Sequence, residues 1–207
     1  LYTTLVALFS IYHNHVMYNN SWNTLIPLNY LVGEAGVGKS ALVQIFGSDG
    51  SQFPKNYSMT AGVDLHTKVV NIPETSDSVE FYLYDSGGQE IFTDLVLQSW
   101  DTLDLTMIVY DVTNDQSFNA CTKWIERCQK QQTANKMIGV LVANKTDLKQ
   151  RRVVSMKQGK ELASTHGLEY FETSAKQNQN VEAAFYYLAS TYHQVYDDRI
   201  AHMQSMM

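Results

Sequence analysis

Eight residues, Gly33-Glu34-Ala35-Gly36-Val37-Gly38-Lys39-Ser40, stand between an apolar run, Tyr30-Leu31-Val32, and a helical pattern, Ala41-Leu42-Val43-Gln44-Ile45-Phe46. A glycine-rich turn of this kind, joining a strand to a helix, is what a phosphate-binding loop requires, and the context disfavours a plain glycine turn. Glycines let the backbone wrap a polyphosphate with several N–H groups pointing inward. The helix N-terminus adds the positive end of its dipole. Gly33, Glu34, Ala35, Gly36, Val37 and Gly38, with Ala41 in the first helical turn, are therefore the expected phosphate cradle. Lys39 can reach the β- and γ-phosphates, and the Ser40 hydroxyl can ligate Mg²⁺.

The rest of the chain agrees with such a loop. Short apolar runs at 25–32, 63–72, 79–84, 105–110, 137–143 and 168–171 alternate with helical patterns at 39–47, 117–131, 156–166 and 181–196. Strand–helix alternation implies crossover units and a mostly parallel sheet. The exception is 63–84, where two alternating runs flank the polar segment Pro73-Glu74-Thr75-Ser76-Asp77-Ser78 and predict an antiparallel hairpin. The expected fold is α/β, with three layers. Its sheet has six strands, mostly parallel with one antiparallel edge strand, and helices cover both faces. Pro27 and Asn29 fall where a central strand should run, and proline cannot donate to a ladder. Either the strand starts at Asn29 or the sequence ahead of it is not authentic.

A length of 207 residues accommodates one ordinary domain and little more. That domain is expected at 24–197, behind an uncertain N-terminal extension at 1–23 and ahead of a helix extension or tail at 198–207. In the last helix Val181, Ala184, Phe185, Leu188, Tyr192, Val195, Tyr196, Ile200, Met203 and Met207 recur at helical steps. The stripe is expected to pack on the sheet, and its continuation past Asp197-Asp198 fits either a frayed tail or an apolar edge for a partner. A net charge of −6 argues against nucleic acid as a partner. Cys121 and Cys128 are too few for a disulfide framework and read as buried, reduced thiols. No apolar run reaches the ~18–20 residues that span a bilayer.

A second set of motifs specifies the base and the metal. Asn144-Lys145-Thr146-Asp147 follows the apolar strand at 139–143, at the carboxyl end where open α/β sheets bind ligands. The Asp147 carboxylate can accept from both the ring N–H and the exocyclic amine of guanine, a donor pair that adenine lacks. An ATPase or adenylate-type kinase is thereby disfavoured. Asn144 can brace the loop and the base, and the Lys145 stem can cover a ring face. Thr173-Ser174-Ala175-Lys176 follows the next strand, and the Ala175 N–H can bond the guanine carbonyl. Asp85 in Asp85-Ser86-Gly87-Gly88-Gln89-Glu90 is the expected second Mg²⁺ anchor. Gly88 can bring its N–H to the γ-phosphate, and Gln89 can orient the attacking water. Thr60, on a polar loop ahead of the hairpin, can complete the Mg²⁺ shell. Phe53 can stack on the base or pack as a loop aromatic.

These motifs together resemble the Ras superfamily and its Rab branch. Tyr57-Ser58-Met59-Thr60-Ala61-Gly62-Val63-Asp64 is similar to the first Rab switch, Tyr84-Asp85-Ser86-Gly87-Gly88-Gln89-Glu90 to the second, and Val109-Tyr110-Asp111-Val112-Thr113-Asn114-Asp115-Gln116-Ser117-Phe118 to a further Rab segment. Phe53-Pro54-Lys55-Asn56-Tyr57, Gly62-Val63-Asp64-Leu65 and Ile72-Pro73-Glu74-Thr75-Ser76-Asp77-Ser78-Val79-Glu80 resemble the Rab-like small GTPases of the intraflagellar transport B complex. The resemblance implies GTP and GDP as ligands with Mg²⁺, and slow hydrolysis in which Lys39, Thr60 and Gln89 take part. It also implies a small β-sandwich partner subunit, other intraflagellar transport B proteins, and a place in the cytoplasm and in the cilium or flagellum and its base. Conventional Rabs end in prenylated cysteines, whereas Met203-Gln204-Ser205-Met206-Met207 offers none, so no direct lipid anchor is expected. Tyr84 replaces the usual tryptophan and Ala61 the usual isoleucine, which alters the surface that Rab effectors read. A permanent adaptor that merely holds its nucleotide and a Rab-like vesicle-traffic GTPase are the competing readings.

Overall fold

The computed structural model describes residues 24–100, 103–131 and 137–206. The N-terminal extension at 1–23 lies outside them, as does Met207 at the end of the helical stripe. Strand β1 (Thr24–Leu25) and strand β2 (Leu28–Val32) both pair in parallel with β4 (Ser78–Ser86). They share one register, Thr24 opposite Ser78 and Leu28 opposite Tyr82, so they form a single line interrupted at Ile26-Pro27. Pro27 has no N–H to give, but its carbonyl accepts from the Tyr82 N–H at 3.2 Å and the ladder resumes at once. The central strand thus starts ahead of Asn29, and a local break accommodates the proline.

On its other edge β4 pairs antiparallel with β3 (Val63–Asn71), closing the expected hairpin. Beyond β2 the parallel order continues through β5 (Leu105–Asp111), β6 (Ile138–Asn144) and β7 (Glu169–Glu172). Among the described residues the sheet therefore has six strand positions, the first line being split. Every residue of β2 and β5 is buried, as a strand covered on both faces requires.

Helices α1 (Lys39–Gly47) and α5 (Val181–Ser205) cover one face. There Phe46 stacks on Phe185 with ring centres 3.9 Å apart, and Phe81 meets both edge-on. Helices α2 (Thr93–Gln98), α3 (Asp115–Gln131) and α4 (Met156–Thr165) cover the other, burying Val96, Trp124, Ile125 and Ala163 against Tyr30 and Ile108. Cys121 and Cys128 lie on the buried face of α3 as free thiols, and burial pushes both up to about 12. Helix α4 starts at a capping box between Ser155 and Gln158.

Some features have no counterpart in the sequence reading. Helix α2 and the 3₁₀ turn Glu90–Phe92 before it are short, and they leave Ile91 and Leu95 exposed, so no periodic pattern announces them. By contrast, helix α5 follows the stripe expected from the sequence, running unbroken across 197/198, but its buried positions end at His193. His193 bonds Asp77 in the β3–β4 turn at 2.8 Å and Asp197 one helical turn on at 3.4 Å. That tie fastens the hairpin tip to the helix. No helix among the described residues is long and apolar enough to cross a membrane.

Asn29 lies fully buried in β2 between Leu83 and Leu105, and neither of its amide atoms has a hydrogen-bond partner among the described residues. An unpaired buried polar group costs about 1–3 kcal/mol. Asn29→Val removes that cost and favours the strand, so it is expected to stabilise the fold by about 1–3 kcal/mol. Urea denaturation measures this through a higher midpoint at constant slope.

Candidate functional site

The loop between β2 and α1 is shaped by close backbone approaches. Gly33 has φ +141°, and a Cβ there would collide with the Val109 carbonyl. Gly38, with φ +103°, precedes α1 without any side-chain cap, and no acidic residue occupies the first turn. The leading N–H groups of α1 therefore have no partner from a side chain of the helix's own, the arrangement that favours an anion. Lys39 is 5% exposed and donates from Nζ to the Gly33 carbonyl at 2.7 Å and the Glu34 carbonyl at 2.9 Å. Burial lowers its pKa to about 8, although Asp85 and Glu34 oppose the change. Glu34 is half-buried and reaches α3, where the buried Trp124 indole N–H donates to its Oε1 at 3.4 Å.

Oxygens from three separate segments meet beside Lys39. Ser40 Oγ and Thr60 Oγ1 are 3.1 Å apart, and Thr60 Oγ1 donates to Asp85 Oδ2 at 3.3 Å. Asp85 occupies the penultimate position of β4, because pairing with Leu31 and Asp64 carries that strand past its apolar run. The carboxylate is 1% exposed and its Oδ1 has no hydrogen-bond partner among the described residues. Burial raises its pKa, against the pull of Ser40, Lys39, Thr60 and His66. A buried carboxylate oxygen with no donor is costly unless a cation meets it. Two hydroxyls and one carboxylate are hard oxygen donors of the kind Mg²⁺ takes. No group of three or more His, Cys, Asp or Glu that could hold a metal occurs among the described residues. A cation here would have to share its shell with a ligand's oxygens and water, as Mg²⁺ does with phosphates.

A cavity of about 280 Å³ opens over this cluster, lined by Lys39, Ser40, Thr60, Asp85, Gly88 and Gln89 among others. Gly88 lies so close to the phosphate loop that a Cβ would collide with the backbone of Gly33, Glu34 and Ala35. Gln89 is exposed at the rim.

The motifs expected to read the base form a second layer behind the same loop. Asn144 closes β6 fully buried; its Nδ2 donates to the Val37 carbonyl at 2.9 Å, and its Oδ1 accepts from Thr173 Oγ1 and the Ala175 N–H, each at 3.2 Å. The Ala175 N–H, expected to face the base, thus has Asn144 as its acceptor. Lys145 Nζ donates to the Gly36 carbonyl at 2.7 Å. Ser174 Oγ donates to Asp147 Oδ1 at 2.7 Å, which orients the carboxylate. Lys176 is exposed, and Phe53 is 45% exposed on the loop that follows α1, outside the lining of the cavity.

Two supporting residues escaped the sequence reading. Thr146 clamps the loops together by giving both its N–H, at 3.1 Å, and its hydroxyl, at 2.9 Å, to the Thr173 carbonyl. Asp111, at the end of β5, pairs with Lys145 at 2.7 Å. Their neighbours in the motifs were the available signal, but neither type nor spacing assigns them a partner.

Known proteins are similar to this chain in sequence. The Ras family profile matches residues 29–194. The intraflagellar transport protein 27 homolog of Bos taurus is 46% identical over 177 residues, covering 86% of this chain and 95% of that protein. Intraflagellar transport protein 27 of Chlamydomonas reinhardtii is 38% identical over 178 residues, covering 84% and 87%. Ras-related protein Rab-30 of Homo sapiens is 37% identical over 159 residues, covering 77% and 76%. The profile runs from the strand that feeds the phosphate loop to the last buried turn of α5, and with relatives matched over most of their length the chain belongs to the Ras family, as a Rab-like small GTPase.

Proposed function

We propose that this protein is a Mg²⁺-dependent GTP switch that hydrolyses GTP slowly and works as a small GTPase subunit of the intraflagellar transport B complex in cilium or flagellum assembly and cargo transport. The observation that carries the chemistry is the meeting of Ser40, Thr60 and Asp85 beside Lys39, with one Asp85 oxygen buried and without a hydrogen-bond partner among the described residues. Bound Mg²⁺ would offset charge on the β- and γ-phosphates. Lys39 holds the same phosphates with the proton that its two carbonyl bonds leave over. Thr60 and Gly88 close on the γ-phosphate from the two switches, and Gln89 orients water for attack. Asp147 reads guanine, with Asn144, Lys145, Ser174, Ala175 and Lys176 shaping the base pocket.

Slow turnover is supported by the charge around the cavity. Among the described residues Lys39 and His66 are its basic lining residues, and no arginine lines it. An arginine supplied by an activating protein is worth ~10³–10⁵ in rate. Single-turnover phosphate release should therefore take minutes or longer for the protein alone. Release in seconds without a partner would contradict the reading.

The transport assignment is supported by the relatives that carry the name intraflagellar transport protein 27. A pull-down from ciliated cells, with bound nucleotide identified by mass spectrometry, should recover other intraflagellar transport B proteins, a small β-sandwich subunit among them, together with GTP or GDP. Partner affinity measured in both nucleotide states separates a switch from a fixed adaptor, because a ligand with no differential affinity shifts nothing.

Lys39 also predicts a pH dependence. In the free protein its proton is lost near pH 8. Phosphate stabilises the ammonium and raises that pKa in the complex. Below pH 8 affinity should be flat; above it binding must take up a proton, and affinity should fall by up to about tenfold per pH unit. Calorimetry in two buffers of different ionisation enthalpy, at pH 7 and pH 9, reads the proton uptake directly.

A further inference from the structure

Asp111 ends β5 and is 7% exposed. Each of its carboxylate oxygens has its own task. Oδ1 accepts from the Thr113 N–H at 2.8 Å and from Thr113 Oγ1 at 2.7 Å, holding the turn after the strand. Oδ2 accepts from Lys145 Nζ at 2.7 Å, and the same ammonium donates to the Gly36 carbonyl at 2.7 Å. The adjacent Val37 carbonyl is taken by Asn144. Two neighbouring carbonyls of the phosphate loop are therefore held by two neighbouring residues of the base loop.

The two ties differ in stiffness. Asn144 is buried and locked from both sides of its amide. Lys145 reaches across on a long flexible stem, from a backbone with φ +66°, a left-handed conformation that lysine adopts only where its surroundings hold it. A carboxylate on rigid β5 gives that ammonium a second, charge-assisted anchor, so less freedom is lost when a nucleotide settles against the stem.

We propose that Asp111 is a positioning residue for guanine-nucleotide binding: it holds the Lys145 ammonium on the Gly36 carbonyl, and so sets the phosphate loop against the base loop. This rests on the reading of the site as a guanine-nucleotide pocket. The burial that would raise the Asp111 pKa is outweighed by the bonds from Lys145 and Thr113, which hold it below the usual carboxylate value. The carboxylate is thus charged wherever the protein is handled near neutral pH.

Release of a fluorescent GDP analogue, timed by stopped flow alongside thermal melting, tests this. D111N keeps an oxygen for Thr113 but turns N–H groups toward the ammonium; a role confined to the turn would be rescued by it. D111N and Asp111→Ser should both release GDP about tenfold faster than wild type, the scale of one hydrogen bond to a charged group. In a Lys145→Ala background D111N should add nothing. Thr113→Val, which disturbs only the turn, should release at the wild-type rate while melting lower. Wild-type release from D111N, or its full factor persisting in Lys145→Ala, would overturn the proposal. So would failure of both Asp111 variants to fold while Thr113→Val folds, since Asp111 would then serve the fold as a whole and not the placing of Lys145. Wild-type protein that binds no GDP at all would strike the nucleotide reading itself, a result the wild-type arm tells apart.

Discussion

Asp147→Asn is expected to weaken GTP and GDP binding by on the order of 10³–10⁴-fold and to make xanthosine nucleotides the preferred ligands. The Asp147 carboxylate has only acceptors to offer, matching the ring N–H and the exocyclic amine of guanine. Ser174 donates to one of its oxygens at 2.7 Å and fixes the group's direction without using up its capacity, since each carboxylate oxygen has two lone pairs. An amide in that place offers one acceptor and one donor pair. Xanthine carries a carbonyl where guanine carries its amine, so the amide can donate to it. Titration calorimetry with GDP and with the xanthosine diphosphate reads both halves of the swap. Unchanged GDP binding would remove the argument that this loop reads the base.

Gly88→Ala should reduce single-turnover GTP hydrolysis by about 10²–10³-fold, the scale set by losing one preorganised donor to the reacting group. GDP affinity should stay within a few-fold of wild type. The asymmetry follows from where the new methyl goes. It meets backbone atoms of Gly33, Glu34 and Ala35, not the tip of a movable side chain, so the second switch must retreat from the phosphate loop. Its N–H then no longer reaches a γ-phosphate, and Gln89 retreats with it. Neither group has anything to hold in GDP. Phosphate release under single-turnover conditions and GDP dissociation, measured on the same preparation, check the split. Equal losses in both would mean that the methyl damages the phosphate loop as a whole.

Much of the fold was legible beforehand because its signals are local. Strand–helix alternation with one polar hairpin turn specified a mostly parallel sheet with an antiparallel edge, and β3 and β4 form that hairpin. The errors have local causes too. β4 and β6 extend past their apolar runs to Ser86 and Asn144 because ladder pairing continues after hydrophobicity stops. Pro27 looked like a reason to start the strand later, yet one missing N–H costs the ladder only a short break, with the Pro27 carbonyl still paired. Helix α2 was invisible because six residues with an exposed apolar side chain make no stripe.

The candidate site divides along the same line. Residue types and spacing named the loops: glycines, a lysine and a serine opening a helix, an Asx-rich turn closing a buried strand. Partnership could not be read that way. Thr60 bonds Ser40 and Asp85, Asn144 reaches Val37, and His193 pins Asp77 over 116 positions of sequence. Nor could periodicity show that Asn29 lies unpaired in the core, or that Asp111 is the anchor of Lys145.

The sequence by itself determined which segments become strand, helix or loop and which chemical groups the loops carry, since backbone preference, apolar period and glycine freedom act over a few residues. Only the tertiary structure decided which of those groups meet. That depends on the register of strands far apart in the chain, and a shift of one residue would turn every side chain of a strand to the opposite face.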